Sequence, residues 1–307
     1  MKAVRVHEYG GPEVLTYEDV PDPTPAPGEV LVEMKVIGVN YSDTHYRRGN
    51  LRNQLPTVPG HEGSGVVAAL GEGVTQVKVG DRVAFAGQHR LGTYKELMTL
   101  PATEVVTLPG ATDFKLATAV LNQGQTAHYL AHDAHPLKKG ERVLIHAAAG
   151  GVGHLAAQIA KAVGAEVIGT ARAAKHDFLR RIGVDEPVDY TAVDVGDVVG
   201  GVDVVLDCVG GDAGRRSLPC LRPGGMLIVV PSASDPGVLV EARERGLRAT
   251  GILVEPDYAS LERLDALVAE GKLRPEIDTV LPLAEAAKAH EIGEQGRTQG
   301  KLVLRTG

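Results

Sequence analysis

The sequence has 307 residues, of which 43% are hydrophobic and 23% charged, and its formal net charge at pH 7 is -7. This length accommodates two domains with sizeable cores, and the balance of apolar and charged residues excludes a disordered chain or a coiled coil. The acidic net charge and the lack of a basic block argue against a nucleic acid or an acidic membrane as the main partner.

The N-terminal residues Met1 to Glu8 alternate like a β-strand and lack the apolar core of a signal peptide. No apolar stretch reaches the length of about 20 residues that a membrane span requires, so we expect a cytoplasmic protein without a membrane partner. Residues 1 to about 121 continue with an alternating segment at 30–36, a short apolar segment at 65–70 and many glycines at turns. This pattern predicts an all-β region.

From about residue 122 the pattern changes to strands that alternate with helices. A first helix begins near Val152, and the pattern predicts strands at 142–146, 166–170, 202–206, 225–230 and 249–254 and helices at 215–221 and 239–245. Such alternation predicts a parallel, doubly wound sheet. Two helices near 261–270 and 283–292 precede a last strand at 301–305, and we expect this tail to return to the first domain. The predicted domains are therefore residues 1–121 with 256–307, and residues 122–255.

The most informative stretch is ERVLIHAAAGGVG, residues 141–153, where a buried strand breaks into glycines and then into an amphipathic helix. Ala147, Gly150 and Gly153 form an A-x-x-G-x-x-G variant of the dinucleotide fingerprint. Gly150 and Gly151 let the backbone turn tightly beside a pyrophosphate, and Gly153 lets helix and strand pack closely. The free N–H groups of the helix that starts near Val152 attract phosphate. A glycine-rich turn without a ligand is the alternative, but the flanking strand and helix favour a dinucleotide site.

The end of the next strand indicates which dinucleotide binds. An NAD site needs a carboxylate there for the ribose hydroxyls, but the residues present are Thr170, Ala171 and Arg172. Arg172 and Lys175 can instead contact a 2'-phosphate through charge-assisted hydrogen bonds. The alternative is that these two residues form the solvated start of a helix, but their position after the strand predicts NADPH as the cofactor.

Three histidines form a candidate metal site. His128, His132 and His135 are spaced at i, i+4 and i+7, so they share one face if this segment is helical. Three imidazoles can hold a metal, but no carboxylate lies on that face except Asp133, and we favour a polar helical stripe.

Several separate segments, in a fixed order, resemble one family. They are GVNYSD at 38–43, PGHEG at 59–63, GEGV at 71–74 with KVGDRV at 78–83, GQTA at 124–127, residues 146–153 and GKLVL at 300–304. On these motifs the chain resembles the medium-chain dehydrogenase/reductase superfamily over essentially its full length, and within it the zinc-independent, zeta-crystallin-like quinone oxidoreductases. The resemblance implies a GroES-like, partly open β-barrel catalytic domain, a Rossmann domain and a cleft between them.

The resemblance also bears on zinc. Zinc-dependent relatives hold the catalytic metal with two cysteines and the histidine of the Gly-His-Glu segment, whereas here His61 is present but Asn40 and Gln123 stand at the cysteine positions. The cysteine-rich lobe that would follow Phe85 is missing. One imidazole cannot make a tetrahedral site, so we predict no metal, and His61 becomes a cleft residue that can donate a hydrogen bond.

By the same resemblance, Asn40, Asp43 and His45 lie in the substrate cleft, where relatives often carry tyrosine in place of His45. Tyr41 and Tyr46 are candidates for stacking or proton donation, although a role as core aromatics is equally compatible with the sequence. For the cofactor, the resemblance places the turn residues Ala147, Gly150, Gly151, Val152 and Gly153 near the pyrophosphate. It places Arg172 and Lys175 near the 2'-phosphate, Tyr190 near the adenosine phosphate and Thr126 near the nicotinamide.

The sequence thus predicts an NADPH-dependent, zinc-independent reductase that transfers hydride to quinones, whose developing oxyanion fixed hydrogen-bond donors stabilise. The alternative within enzymes is a reductase of 2-alkenals or 2-enones. An alternative of another class is an NADPH-binding sensor or structural protein with little catalysis. The apolar strand predicted at 249–254 can pair with its copy in a second subunit, so we expect a homodimer.

Overall fold

The computed structural model describes residues 1–51, 54–87, 92–110, 112–230, 236–252, 254 and 257–307. The chain forms two compact units, one of residues 1–122 with 255–307 and one of residues 123–254. Each unit has its own sheet and its own hydrophobic core. In the described part of the chain, no helix combines the length and the apolar character needed to cross a membrane.

The first unit is built mainly from antiparallel strands. Strands β1 (Lys2–Val6) and β2 (Leu15–Asp19) form a two-stranded sheet, and a larger sheet contains β3 (Glu29–Val39), β4 (Glu62–Leu70), β5 (Arg82–Ala86), β6 (Leu97–Pro101) and β7 (Val106–Thr107). Strand β3 is central and pairs with both β4 and β6. Its side chains alternate in burial over its first half because one face packs on the core, through Val30, Val32 and Met34.

Two helices interrupt this region, so the prediction of an all-β segment over residues 1–121 is wrong there. They are α1 (Tyr41–Arg48) and α2 (Phe114–Val120). Helix α1 begins at a capping arrangement, in which Asp43 Oδ2 accepts the backbone N–H of Asn40 at 2.9 Å. It is short and mostly polar, so it carries little of the apolar periodicity on which a helix prediction depends.

The second unit contains the predicted parallel sheet, which has six strands: the five predicted ones and a further strand at Glu186–Asp189 that the sequence analysis did not predict. Its strands are β8 (Arg142–Ile145), β9 (Glu166–Ala171), β10 (Glu186–Asp189), β11 (Val202–Asp207), β12 (Leu221–Val229) and β13 (Arg248–Gly251), in the order β10-β9-β8-β11-β12-β13. The helices are α3 (Asn122–Tyr129), α4 (Gly151–Val163), α5 (His176–Arg181), α6 (Val195–Val198), α7 (Asp212–Arg216) and α8 (Pro236–Glu244). The central strands are nearly continuous apolar runs, which is typical of a sheet covered on both faces.

Some boundaries in this unit differ from the sequence prediction. The helix predicted at 215–221 is α7 followed by a 3-10 turn at Leu218–Cys220, because Pro219 has no N–H to continue an α-helix. The strand predicted at 249–254 is β13, which ends at Gly251, and part of the predicted segment, Leu253, lies outside the described residues. The helix predicted at 239–245 begins earlier, at Pro236.

The tail contains α9 (Tyr258–Ala269), β14 (Ile277–Pro282), α10 (Ala286–Glu294) and β15 (Lys301–Arg305). Strand β14 was not predicted, and the helix predicted at 283–292 starts with a 3-10 turn before α10. The larger sheet of the first unit has the order β14-β15-β3-β4-β5-β7, with β6 on β3. The antiparallel pairing of Leu302 with Val39 brings Lys301 beside Asn40 at the start of α1.

Candidate functional site

The first unit holds a buried acid and base side by side. Asp43, in the first turn of α1, is fully buried, and His61, just before β4, is 5% exposed. His61 Nε2 lies 3.0 Å from Asp43 Oδ1. Neither atom has a well-directed hydrogen bond in the described part of the chain, so the contact is that of an ion pair.

This pairing changes the acidity of both groups. Burial opposes charge on Asp43, but the charge of His61 and the backbone N–H of Asn40 outweigh it, so the pKa of Asp43 lies below its ordinary value. Burial opposes charge on His61 as well, but Asp43 outweighs it and raises the pKa of His61. The arrangement therefore favours a carboxylate beside an imidazolium.

His61 and Tyr46 both line a small cavity that opens to solvent. The two rings are 5.3 Å apart, and the other lining residues are Val6, Arg47, Thr57, Val58, Pro59 and Gly60. His45 is not among the lining residues. Its ring stacks edge-on with the exposed Tyr41 at 5.1 Å, and its Nδ1 is 3.1 Å from Asn50 Nδ2. Of the candidates that follow Asn40 on α1, the structure thus brings Asp43 and Tyr46 to His61.

Behind Asp43 lies a buried hydrogen-bonded chain that the sequence reasoning missed. Tyr94 donates its hydroxyl hydrogen to Asp43 Oδ2 at 3.0 Å, so the Nε2 of His290, 3.1 Å from the same hydroxyl, must be the donor there. The Nδ1 of His290 then accepts from Arg47 Nη1 at 3.2 Å. Burial lowers the pKa of His290 to about 4, assisted by Arg47, which agrees with the neutral ring that this bonding requires.

Asn40 belongs to a second buried cluster that the sequence reasoning also missed. Lys301 Nζ donates to Asn40 Oδ1 at 2.8 Å and pairs with Glu62 Oε1 at 2.5 Å, and Asn40 Nδ2 donates to the same Glu62 oxygen at 2.9 Å. A Cβ at Gly38 would collide with the Glu62 carboxylate, which explains a glycine near the end of β3. The signal that could have found this cluster is a lysine placed among the buried residues of an apolar strand.

The histidine cluster of the sequence does not share one helical face. His128 lies in α3 and His132 in the π-helical turn that follows it, with their rings 4.3 Å apart. His135 lies beyond the helix in an extended conformation, and its Nε2 contacts Glu141 at 3.2 Å. The residues that the structure describes contain no group of three or more His, Cys, Asp or Glu side chains able to hold a metal.

The second unit places the glycine-rich turn at the carboxyl end of β8. The turn leads directly into α4, whose N-cap is Gly150. A Cβ at Gly153 would collide with the carbonyl oxygen of Ala147, so only glycine permits this close approach of helix and turn. The first N–H groups of the 13-residue helix have no intrahelical acceptor, so they give this end of the helix a partial positive charge.

Three of the remaining cofactor candidates follow the carboxyl ends of β9 and β10. Arg172 directly follows β9 and is exposed, and Lys175 lies in the 3-10 turn after it. The nearby carboxylate of Asp189 bonds to the hydroxyl and N–H of Thr191 and to the N–H of Ala173. Tyr190 is 42% exposed, and Thr126 is buried in α3.

Comparison with known proteins gives full-length matches. Residues 26–110 match the alcohol dehydrogenase GroES-like domain, and residues 182–304 match the zinc-binding dehydrogenase family. The chain is 39% identical to the quinone oxidoreductase of Pseudomonas aeruginosa, covering 99% of both chains, and 36% identical to the 2-haloacrylate reductase of a Burkholderia species, covering 98% of both. The structure of Escherichia coli quinone oxidoreductase complexed with NADPH superposes with a TM-score of 0.90 at 32% identity, covering 99% of this chain and all of that one.

The chain therefore belongs to the quinone oxidoreductase family of the medium-chain dehydrogenase/reductase superfamily. Its first unit carries the GroES-like domain, and its second is a Rossmann domain with a doubly wound parallel sheet.

Proposed function

We propose that this family member is an NADPH-dependent reductase that transfers hydride to quinones without zinc. The observation that carries the proposal is the buried Asp43–His61 pair at the edge of the cavity that Tyr46 also lines. Such a pair supplies a donor at a place where a carbonyl oxygen gains negative charge. The similarity to quinone oxidoreductases over the full length supports it.

The second unit fits a dinucleotide phosphate. The turn from Ala147 to Gly153 and the N-terminus of α4 would hold the pyrophosphate, with Gly150, Gly151 and Val152 presenting backbone to it. Arg172 and Lys175 would hold the 2'-phosphate, Tyr190 would lie near the adenosine phosphate, and Thr126 near the nicotinamide. When bound, NADPH supplies the hydride.

His61 would then stabilise the negative charge that hydride transfer creates on the acceptor oxygen. Because Nε2 is committed to Asp43, the Nδ1–H is the donor left for a quinone oxygen. The imidazolium can pass this proton to the reduced oxygen, since Asp43 stabilises the protonated ring beforehand and the neutral ring afterwards takes a proton from solvent. Asn40 supports the same site through its capping contact with Asp43.

A catalytic zinc does not fit these residues. A ligand at position 40 would have to offer the Asn40 Oδ1 atom, but that oxygen already accepts from the Lys301 ammonium, whose positive charge repels a metal cation. His61 Nε2 is paired with Asp43, and Nδ1 carries the hydrogen that the ring donates, so neither ring nitrogen is free to bind a metal. Two of the three positions at which zinc-dependent relatives carry ligands are therefore engaged in other interactions.

A second acceptor class is favoured by one comparison. The 2-haloacrylate reductase of Burkholderia is nearly as similar as the quinone oxidoreductase, and its name describes the reduction of an activated alkene. In an enal or enone the same donor would stabilise the developing enolate oxygen.

The test is NADPH oxidation at matched concentrations of 9,10-phenanthrenequinone and a 2-alkenal, with NADH as the cofactor control. We expect faster turnover of the quinone, and a loss of kcat in His61→Gln. The matched control is His135→Gln, which removes a carboxylate-paired histidine in the other unit. Faster turnover of the alkenal would transfer the function to alkene reduction. Tight NADPH binding without turnover of either acceptor would favour a sensor or structural role.

We also propose a homodimer. Strand β13 is one of the two edge strands of the parallel sheet and pairs with β12. An edge strand of this kind can continue its sheet into a second subunit. Light scattering at micromolar concentration should give the mass of two chains, and a monomer mass would contradict the proposal.

A further inference from the structure

Ala147, the first residue of the dinucleotide turn, has a backbone conformation that alanine disfavours. Its φ angle is +49°, and it is the one non-glycine residue with a positive φ in the described ranges. In this left-handed region the Cβ crowds the neighbouring carbonyl oxygen, so an unrestrained alanine leaves it. The carbonyl of Ala147 also accepts the N–H of Gly150 at 2.8 Å, so the shape of the turn depends on this residue.

Thr170, at the end of β9, is hydrogen-bonded to the start of the turn. Its Oγ1 accepts the N–H of Ala147 at 3.2 Å, and its backbone oxygen accepts the N–H of Ala148 at 3.0 Å. The same hydroxyl lies 3.2 Å from Nδ1 of His146, whose Nε2 bonds to Ser217 Oγ. Ser217 in turn donates to the carbonyl of Ala213 at 2.8 Å.

Each of these groups has few hydrogens, so the direction of every hydrogen bond in this network is fixed. Thr170 accepts from Ala147, and its single hydrogen goes to His146 Nδ1. Nε2 therefore carries the imidazole hydrogen and donates it to Ser217, whose own hydrogen goes to Ala213. The network needs a neutral His146, and burial, against the opposing charge of Asp207, lowers the pKa of this histidine. Thr170, His146 and Ser217 are 2%, 5% and 0% exposed, so water does not compete for these bonds.

We propose that Thr170, His146 and Ser217 form a positioning clamp that keeps Ala147 in its left-handed conformation and so keeps the pyrophosphate turn ready for NADPH. The inference rests on the proposed function, because it assumes that this turn binds the cofactor. Without the clamp the turn is competent for only a fraction of the time, and the apparent Kd rises by the inverse of that fraction. His146 and Ser217 act through Thr170, which fixes the Ala147 amide.

The experiment is isothermal titration calorimetry of NADPH with the full chain, since the protein has no tryptophan for fluorescence. Thr170→Val removes the hydroxyl and keeps the shape, and we expect its Kd to rise about tenfold, which corresponds to about 1.4 kcal/mol. Thr170→Ser keeps the hydroxyl and should bind like the wild type. His146→Leu removes the acceptor that orients the hydroxyl and should give a smaller loss of about threefold.

The decisive variant is Ala147→Gly, because glycine adopts positive φ without strain and no longer needs the clamp. In the Ala147→Gly background, Thr170→Val should leave the Kd for NADPH within about twofold of the single Gly variant. A Thr170 that matters only for folding would weaken binding equally in both backgrounds. Thr118→Val is the matched control, since Thr118 is a buried threonine whose hydroxyl bonds to Ser64 in the other unit.

Three outcomes are distinguishable. Rescue by Ala147→Gly supports the clamp. An unchanged Kd in Thr170→Val, or no rescue in the double variant, overturns it while the proposed function stands, provided that the wild type binds NADPH. If the wild type does not bind NADPH, the cofactor assignment fails and the clamp fails with it. Circular dichroism checks the fold of each variant. If Thr170→Val is unstable, the comparison of the two single variants Thr170→Ser and His146→Leu tests the clamp instead.

Discussion

Replacement of Lys301 by methionine should expose how strongly the Asn40 cluster depends on its one cation. Lys301 and Glu62 are 2% and 0% exposed, and their charged atoms are 2.5 Å apart. Removing one partner of a buried ion pair costs about 3–5 kcal/mol, because an uncompensated charge stays behind. Glu62 would keep the N–H groups of Asn40 and Asn122 as donors, at 2.9 and 2.6 Å, so we expect the lower end of this range, about 3 kcal/mol.

Calorimetry at pH 8 measures this loss. For a unit of this size about 3 kcal/mol corresponds to a fall in Tm of about 6–12 °C. The double variant Lys301→Met with Glu62→Gln removes both charges and keeps an acceptor, and it should recover most of the loss.

The matched control is Lys115→Met, which removes a half-exposed lysine 3.6 Å from Asp113 and should change stability by less than about 0.5 kcal/mol. A Lys301→Met protein within about 1 kcal/mol of the wild type would refute the reasoning, as would a double variant no more stable than the single one. Because Lys301 also bonds to Asn40, we expect kcat/KM to fall in Lys301→Met even at temperatures where the protein stays folded.

Three further predictions concern charge. Asp265 is fully buried, neither carboxylate oxygen has a partner in the described part of the chain, and burial raises its pKa to about 7. An acid with a raised folded-state pKa destabilises the fold as pH rises. In urea unfolding, the free energy of unfolding of Asp265→Asn should therefore rise by about 2 kcal/mol relative to the wild type between pH 5.5 and pH 8. A difference that does not change with pH would contradict this. Asp43→Asn should lower the pKa of His61, so that kcat/KM with the quinone declines at a lower pH; an unchanged pH profile would exclude His61 as the proton donor. Arg172→Glu with Lys175→Glu should raise the Kd for NADPH at least about tenfold in calorimetry and leave NADH binding nearly unchanged, and equal NADPH affinity would remove the 2'-phosphate assignment.

The sequence by itself determined the parallel sheet and the dinucleotide turn, because both depend on residues that are close in the chain. Each strand, turn and helix of the second unit is encoded within about 30 residues. A turn of this kind binds phosphate through its backbone and the helix N-terminus, so the glycine spacing between 147 and 153 suffices to predict it. The lack of an acidic residue at Thr170, Ala171 and Arg172 is likewise visible directly in the sequence.

Only the tertiary structure decided which partners stabilise the buried charges. Lys301 meets Asn40 across 261 positions, and Tyr94 meets His290 across 196. Neither pairing has a local pattern, because each is set by how β15 pairs with β3 and by where α10 packs. A buried charge is tolerated only where an opposite charge or a donor arrives from elsewhere in the chain. The sequence could therefore propose Asn40, Asp43 and His61 as candidates, but the register of distant strands and the packing of distant helices supply the partners that make them a site.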